Sequence, residues 1–252
     1  MAQVLAIANQ KGGVGKTTTA VNLAACLAVA EQRVLLIDLD SQGNASSGLG
    51  HAQKTLERGT YEVLHGDASL RDVMLQTDLP SLQLAPATRD LAAAELELAE
   101  AEDRAMRLRR AIDAVRRDYD FVIVDCPPSL GVLTLNALAA ADAVLVPMQC
   151  EYYALEGLAS LSDTIERIQG ALNSDLKVAG VLLTMYDPRS NLAREVADEV
   201  RKHFHVYETV IPRNVRLAEA PSHGKPVILY DAASRGSHGY LSLARELLGE
   251  AA

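Results

Sequence analysis

Uninterrupted apolar runs most narrow what this chain can fold into. Val4-Leu5-Ala6-Ile7-Ala8, Val34-Leu35-Leu36-Ile37, Phe121-Val122-Ile123-Val124, Ala143-Val144-Leu145-Val146 and Val178-Ala179-Gly180-Val181-Leu182-Leu183 each have the length of a strand. A strand wetted on one face alternates apolar and polar residues, whereas a run apolar throughout belongs to a sheet covered on both faces. Helix-length segments separate the runs: 16–30, with Ala20, Leu23, Ala24 and Leu27 at helical spacing, then 91–117, 155–172, 192–204 and 240–248. Strands joined through helices run parallel. The expectation is an α/β fold built on one doubly wound, mostly parallel sheet flanked by helices. Weaker strand candidates lie at 82–85 and 206–211. No repeat, low-complexity tract or Pro/Gly-rich linker divides the chain, so residues 1–252 read as a single domain.

Composition excludes some functions. No apolar run is long enough for a membrane-spanning helix, and the opening residues carry no basic leader or cleavage site, so a secretion signal is not expected. Cys26, Cys126 and Cys150 stand far apart beside apolar runs, which suits small core residues in a reducing cytoplasm better than a disulfide framework or zinc site. The net charge of −9 excludes a globally basic nucleic-acid binder. From Lys177 onward, however, 10 Lys and Arg stand against 9 Asp and Glu, so a local basic face remains open. Segment 91–117 places Glu95, Glu97, Glu100, Glu102 and Asp103 before Arg104, Arg107, Arg109 and Arg110, as expected for a solvated helix aligned with its dipole.

Between the first strand and the first helix lies Asn9-Gln10-Lys11-Gly12-Gly13-Val14-Gly15-Lys16-Thr17-Thr18-Thr19. Gly15-Lys16-Thr17 fits the end of a phosphate-binding loop, but Gln10 stands where the usual pattern has its first glycine, and a second lysine, Lys11, follows it. Gly12, Gly13, Val14 and Gly15 would turn their amides toward phosphate oxygens, helped by the positive end of the helix. Lys16 would reach the β- and γ-phosphates, the Thr17 hydroxyl would hold Mg²⁺, and Thr18 is a further phosphate contact. Mg²⁺ also needs carboxylates near strand ends. Asp125 closes one apolar run, where it would act through a water. Asp38 and Asp40 close another, two residues apart and so expected on one face, pointing at the phosphates.

KGGVGKTTT, DLDSQGNASSGLG from Asp38 and DCPPSLG from Asp125 together resemble the ParA/Soj chromosome- and plasmid-partitioning ATPases, members of the deviant phosphate-loop class that includes MinD. QCEYYALEGL from Gln149, LLTMYDPRSNL from Leu182 and IPRNVRLAEAPSHGKP from Ile211 extend the resemblance through nearly the whole chain. It implies a slow, Mg²⁺-dependent ATPase whose ATP-bound form is a homodimer. Lys11 would be the signature lysine that reaches the partner subunit's nucleotide; the residues alone leave open a simple positive charge in cis. Asp40 carries over as the group that positions or activates the attacking water, with Asp38 behind it supporting Lys16 or a magnesium water. Segments 43–50 and 127–131 would be the two loops that sense the γ-phosphate. Thr184, Met185, Pro212, Arg213 and Asn214 become adenine-side candidates, although by themselves Pro212 and Asn214 read as a turn after a strand.

The resemblance further implies non-specific binding of double-stranded DNA, nucleoid association in the cytoplasm, and stimulation by a centromere-binding ParB/Spo0J-type partner. Arg189, Arg213, Arg216 and Arg235 are the DNA-contact candidates, with Lys202 and Lys225 behind them; Glu151 and the acids between Glu95 and Asp103 are candidate partner contacts. A MinD-like membrane-cycling ATPase is the alternative. The last residues, GYLSLARELLGEAA, offer Arg245 against Glu246 and Glu250, a poor match to anionic lipid. An iron–sulfur dimer would need exposed cysteines, and the later motifs do not resemble small-molecule synthetases.

Overall fold

The computed structural model describes residues 1–152 and 154–249. In chain order the elements are β1 (Gln3–Ile7), α1 (Lys16–Val29), β2 (Val34–Asp38), α2 (Asn44–Gly48), α3 (Thr60–His65), α4 (Leu70–Val73), β3 (Leu75–Gln76), β4 (Leu82–Ala85), α5 (Leu91–Glu97), α6 (Arg107–Asp113) and β5 (Phe121–Asp125). Then follow α7 (Val132–Ala140), β6 (Ala143–Gln149), α8 (Ala154–Ala171), β7 (Lys177–Tyr186), α9 (Asn191–Arg201), β8 (Val206–Pro212), α10 (Val215–Glu219), α11 (Val227–Tyr230) and α12 (Arg235–Leu247).

The strands form one eight-stranded sheet in the order β3-β4-β2-β5-β1-β6-β7-β8. All neighbours are parallel except the short β3, which runs antiparallel to β4 at the edge. The two weaker strand candidates are β4 and β8. Alternate residues of each strand enter separate cores. Leu5, Ile7, Leu36, Ile123 and Leu145 pack with α1, α11 and α12 on one side. Val4, Ala6, Leu35, Val122, Val144 and Leu183 pack with helices from α3 to α9 on the other. Burial on both faces explains why the strand sequences show no polar alternation. Cys26, Cys126 and Cys150 are all buried. Among the described residues no helix is long and apolar enough to cross a membrane.

Segment 91–117 is not one helix. It divides into α5 and α6, joined by turns and followed by a short 3-10 turn. A continuous helix there would run about 40 Å, while the strands beneath span about 17 Å. The break lets Leu91, Ala94, Leu98, Leu108 and Ile112 all reach the same core. The charges expected to lie along a helix dipole are paired instead, some across the fold and some within the segment. Glu97 accepts from the Tyr61 hydroxyl at 2.8 Å, and Asp103 pairs with Arg107 and Arg110.

Candidate functional site

β1 lies at the centre of the sheet with β5 and β6 beside it, and the chain crosses over it between them. Such a reversal in strand order opens a crevice at the carboxyl ends of the strands. A cleft of about 460 Å³ occupies that position. Gly12, Gly13, Gly15, Lys16, Thr17, Thr18 and Asp40 form one wall. Met185, Pro212, Arg213 and Asn214 also line the cleft, as does Pro128 from the turn after β5.

The loop from β1 to α1 is anchored at both ends. Asn9 Nδ2 donates to the Pro147 carbonyl at 2.8 Å while its Oδ1 accepts from the Lys11 amide at 3.0 Å. The Thr184 hydroxyl donates to the Val14 carbonyl at 2.8 Å, binding the loop to β7; Val14 itself is buried behind the cleft wall. Gly13 and Gly15 have φ of 74° and 88°, in the left-handed region that a side chain would strain. Gly15 precedes α1, whose first turn has neither a capping side chain nor an acidic residue. The amides and positive dipole end of this 14-residue helix therefore face the cleft uncommitted.

Lys16 folds back over the loop, Nζ donating to the Lys11 carbonyl at 3.0 Å. Burial holds its amine below the usual lysine range, against the opposing pull of Asp125. Asp125 is buried at the end of β5. Apart from the nearby Thr17 hydroxyl, which favours its charged form, neither carboxylate oxygen has a hydrogen-bond partner among the described residues. Burial, and after it the charge of Asp38, pushes the Asp125 carboxyl well above its ordinary range. Two unpaired oxygens beside a threonine hydroxyl and a buried amine suit a hydrated Mg²⁺ and phosphate, which would supply the missing charge and donors.

Asp38 and Asp40 separate, contrary to the expectation that both point at the phosphates. β2 ends at Asp38, so the two residues no longer share a strand face. Asp40 lines the cleft, and its Oδ1 accepts from the Gln42 amide at 3.0 Å. Asp38 is buried and faces α2: its Oδ2 accepts from the Ser46 amide at 2.8 Å and hydroxyl at 2.7 Å, and its Oδ1 from the Asp40 amide at 3.1 Å. Burial pushes the Asp38 carboxyl up to about 6, partly offset by these bonds from Ser46. It braces segment 43–50 rather than Lys16. Within that segment the expected loop contains the short helix α2.

Lys11 lies outside the cleft lining and forms an ion pair with Glu151, just after β6. Gln10, in the place of the missing glycine, bonds to Ser160 of α8 at 2.9 Å. Asn214 uses its Oδ1 to cap α10 through the Arg216 amide at 2.9 Å, so the turn reading and the cleft reading both describe it. Met185 has φ 48°, rare for a residue with a side chain, at the edge of the cleft. The arginine candidates differ. Arg189 is 88% exposed and held by Asp187, while Arg216 is shared by Glu219 and Asp231. Arg213 and Arg235 are exposed. Leu217, Ala218 and Tyr240 also line the cleft and carry no sequence signal for it. Tyr240 reads as a core residue of an amphipathic helix, and no local pattern shows that its hydroxyl meets Thr19 of α1 at 3.1 Å.

Residues 2–178 match the family model of an AAA domain. The chain is 57% identical over 249 residues to the sporulation initiation inhibitor protein Soj of Bacillus subtilis, covering 98% of both chains. It is 56% identical to the chromosome partitioning protein ParA of Myxococcus xanthus, covering 98% of this chain and 88% of that one. Among solved structures, it is similar to cobyrinic acid a,c-diamide synthase from Mycobacterium smegmatis with bound ADP and magnesium, at 41% identity and a TM-score of 0.86, covering 98% of this chain and 94% of that one.

Proposed function

Because the chain belongs to the Soj/ParA family of chromosome-partitioning proteins, we propose that it is an ATP-dependent DNA-partition ATPase that pairs around ATP, holds DNA without sequence preference, and is reset by hydrolysis. The observation that carries this reading is the cleft itself: an uncapped helix N-terminus, Lys16, Thr17 and Asp40 line it together with Met185 and Pro212.

In this reading Gly12, Gly13, Val14 and Gly15 offer their amides to the phosphates, and Lys16 exchanges the Lys11 carbonyl for the β- and γ-phosphate oxygens. Thr17 and Asp125, with Asp40 nearby, would hold Mg²⁺, which would supply positive charge against the phosphates. Thr18 adds a phosphate contact. Asp40 orients the water for in-line attack, a role in which alignment supplies most of the rate. Met185, Pro212 and Arg213 border the base, with the Nδ2 of Asn214 left to donate to it.

Lys11 then leaves Glu151 and reaches the nucleotide of a second copy. A cation delivered in trans makes pairing depend on the γ-phosphate, so hydrolysis sets the lifetime of the dimer. Arg189, Arg213, Arg216 and Arg235 supply the DNA contacts, doubled by pairing, and retention on DNA places the protein on the nucleoid. A basic segment of a ParB-type protein would speed a slow intrinsic turnover, favoured by the acidic body of this chain.

A membrane-cycling role fits less well. It uses a free amphipathic end, whereas Tyr240, Leu243 and Ala244 of α12 are buried with residues of α1. A small-molecule synthase role is favoured by three similar solved structures of one synthase, but the identity to partitioning proteins is higher.

DNA retention measured without nucleotide, with ADP and with ATP, at two salt concentrations, tests the proposal. Binding should need ATP and fall steeply with salt. Equal retention in all three nucleotide states, or none with ATP at low salt, would overturn it.

A further inference from the structure

We propose that Glu95 of α5 is a positioning residue for the turn 127–131, which it holds through the first amide of α7. The inference deepens the ATPase reading above and rests on it. Glu95 does not line the cleft; it acts on the reaction through the turn that does.

The turn carries Pro128 into the cleft wall and ends at Gly131, directly before α7. Gly131 has no side chain with which to cap that helix. Glu95, from a different part of the chain, takes the place of a cap: its Oε2 accepts from the Val132 amide at 2.7 Å. A carboxylate at a helix N-terminus is further favoured by the dipole. Its other oxygen, Oε1, is buried with no partner among the described residues. That oxygen is a spare acceptor beside the open first turn of α7, so a displaced turn would find a second bonding position on the same carboxylate.

Space at Gly131 points to the same pairing. Its φ of −83° and ψ of −166° are open to any residue, so the backbone does not demand glycine. A Cβ there would instead overlap the Glu95 carboxylate. The glycine makes room for this carboxylate, whose atoms are the nearest to that position.

The connection is reciprocal. α7 reaches back through Asn136, a buried residue whose Oδ1 accepts from the Leu108 amide of α6 at 3.1 Å and whose Nδ2 donates to the Val132 carbonyl at 2.9 Å. Thus α5 caps α7, and α7 caps α6. The excursion between β4 and β5 is thus bonded to α7 at Val132 and at Asn136, directly after the turn that carries Pro128.

Glu95→Ala removes the acceptor, Glu95→Gln keeps it, and Gly131→Ala displaces the side chain without straining the backbone. Glu95→Ala and Gly131→Ala should each lower kcat about tenfold while ADP affinity stays near parental and Tm falls only by the few degrees that loss of a helix cap costs. Glu95→Gln should restore turnover. The double variant should be no slower than Glu95→Ala, because both changes break one contact. Parental kcat in Glu95→Ala, equal loss in Glu95→Gln, or additive losses in the double variant would overturn the assignment. If the parental chain releases no phosphate from ATP, the ATPase reading fails separately. Hydrogen exchange at the Val132 amide still decides the contact: faster exchange in Glu95→Ala and Gly131→Ala supports it, and unchanged exchange refutes it.

Discussion

Asp38 and Asp125 are direct register partners at the carboxyl ends of the parallel strands β2 and β5, both fully buried. Two carboxyls so placed resist ionisation, and both are held above their ordinary range, Asp38 at about 6. For an acid raised on folding, the native state binds the proton more tightly than the unfolded chain. The resulting penalty is absent below the unfolded pKa, accumulates as pH rises to the folded pKa, and is full above it. For Asp38 this spans about pH 4 to 6 and amounts to a few kcal/mol, at roughly 1.4 kcal/mol per unit. Thermal denaturation of the nucleotide-free protein should therefore show a declining Tm across that window. Asp125→Asn should raise Tm at pH 7.5 by roughly 4–8 °C and remove the extra stabilisation by Mg²⁺ with ADP. A variant no more stable than the parent would mean that Asp125 is not a strained charge.

Asp40 stands in the cleft with one oxygen committed to the Gln42 amide. Asp40→Ala should bind ATP and form the dimer but hydrolyse at least about a hundredfold more slowly. Phosphate release at the parental rate would remove Asp40 from the catalytic step.

Lys11 is engaged in cis with Glu151, yet its proposed work is in trans. In the slow Asp40→Ala background, Lys11→Ala should stay monomeric in light scattering with saturating Mg-ATP while still binding nucleotide. Glu151→Gln frees the lysine and should shift dimer formation to lower protein concentration. A Lys11→Ala dimer of parental affinity would sink the trans role.

If Arg189 and Arg235, which do not line the cleft, contact DNA as proposed, their loss should be separable from nucleotide binding. Arg189→Glu should abolish DNA retention and spare the ATP dimer. Arg235→Ala should make the slope of log affinity against log salt shallower by about one, the share of a single neutralised phosphate. Titration at several salt concentrations measures it, and an unchanged slope removes Arg235 from the surface.

Gly224 has φ 62°, and a Cβ on it would lie 2.7 Å from Gly50 Cα. This backbone approach ties the end of segment 43–50 to the turn before α11. Gly224→Ala meets both left-handed strain, about 1–2 kcal/mol, and a backbone overlap. Its Tm should fall by several degrees, most clearly without nucleotide. A neutral change would show that the segment yields freely.

The unbroken apolar runs at Val34, Phe121 and Ala143 determined the doubly wound sheet, because only a sheet covered on both faces tolerates them. The loop from Gly12 to Thr18 was equally legible: its geometry depends on glycines and a helix start that neighbour one another in the chain. Side-chain direction was a matter for the tertiary structure. Asp38 and Asp40 looked equivalent until the end of β2 turned one into the core and left the other in the cleft. Segment 91–117 carried a helical pattern throughout, and packing over short strands broke it and drew Glu95 to α7. Tyr240 met Thr19 across most of the chain's length. Local patterns report backbone preference and burial, which depend on nearest neighbours. Which buried polar group meets which is decided only when distant segments compete for the same partner.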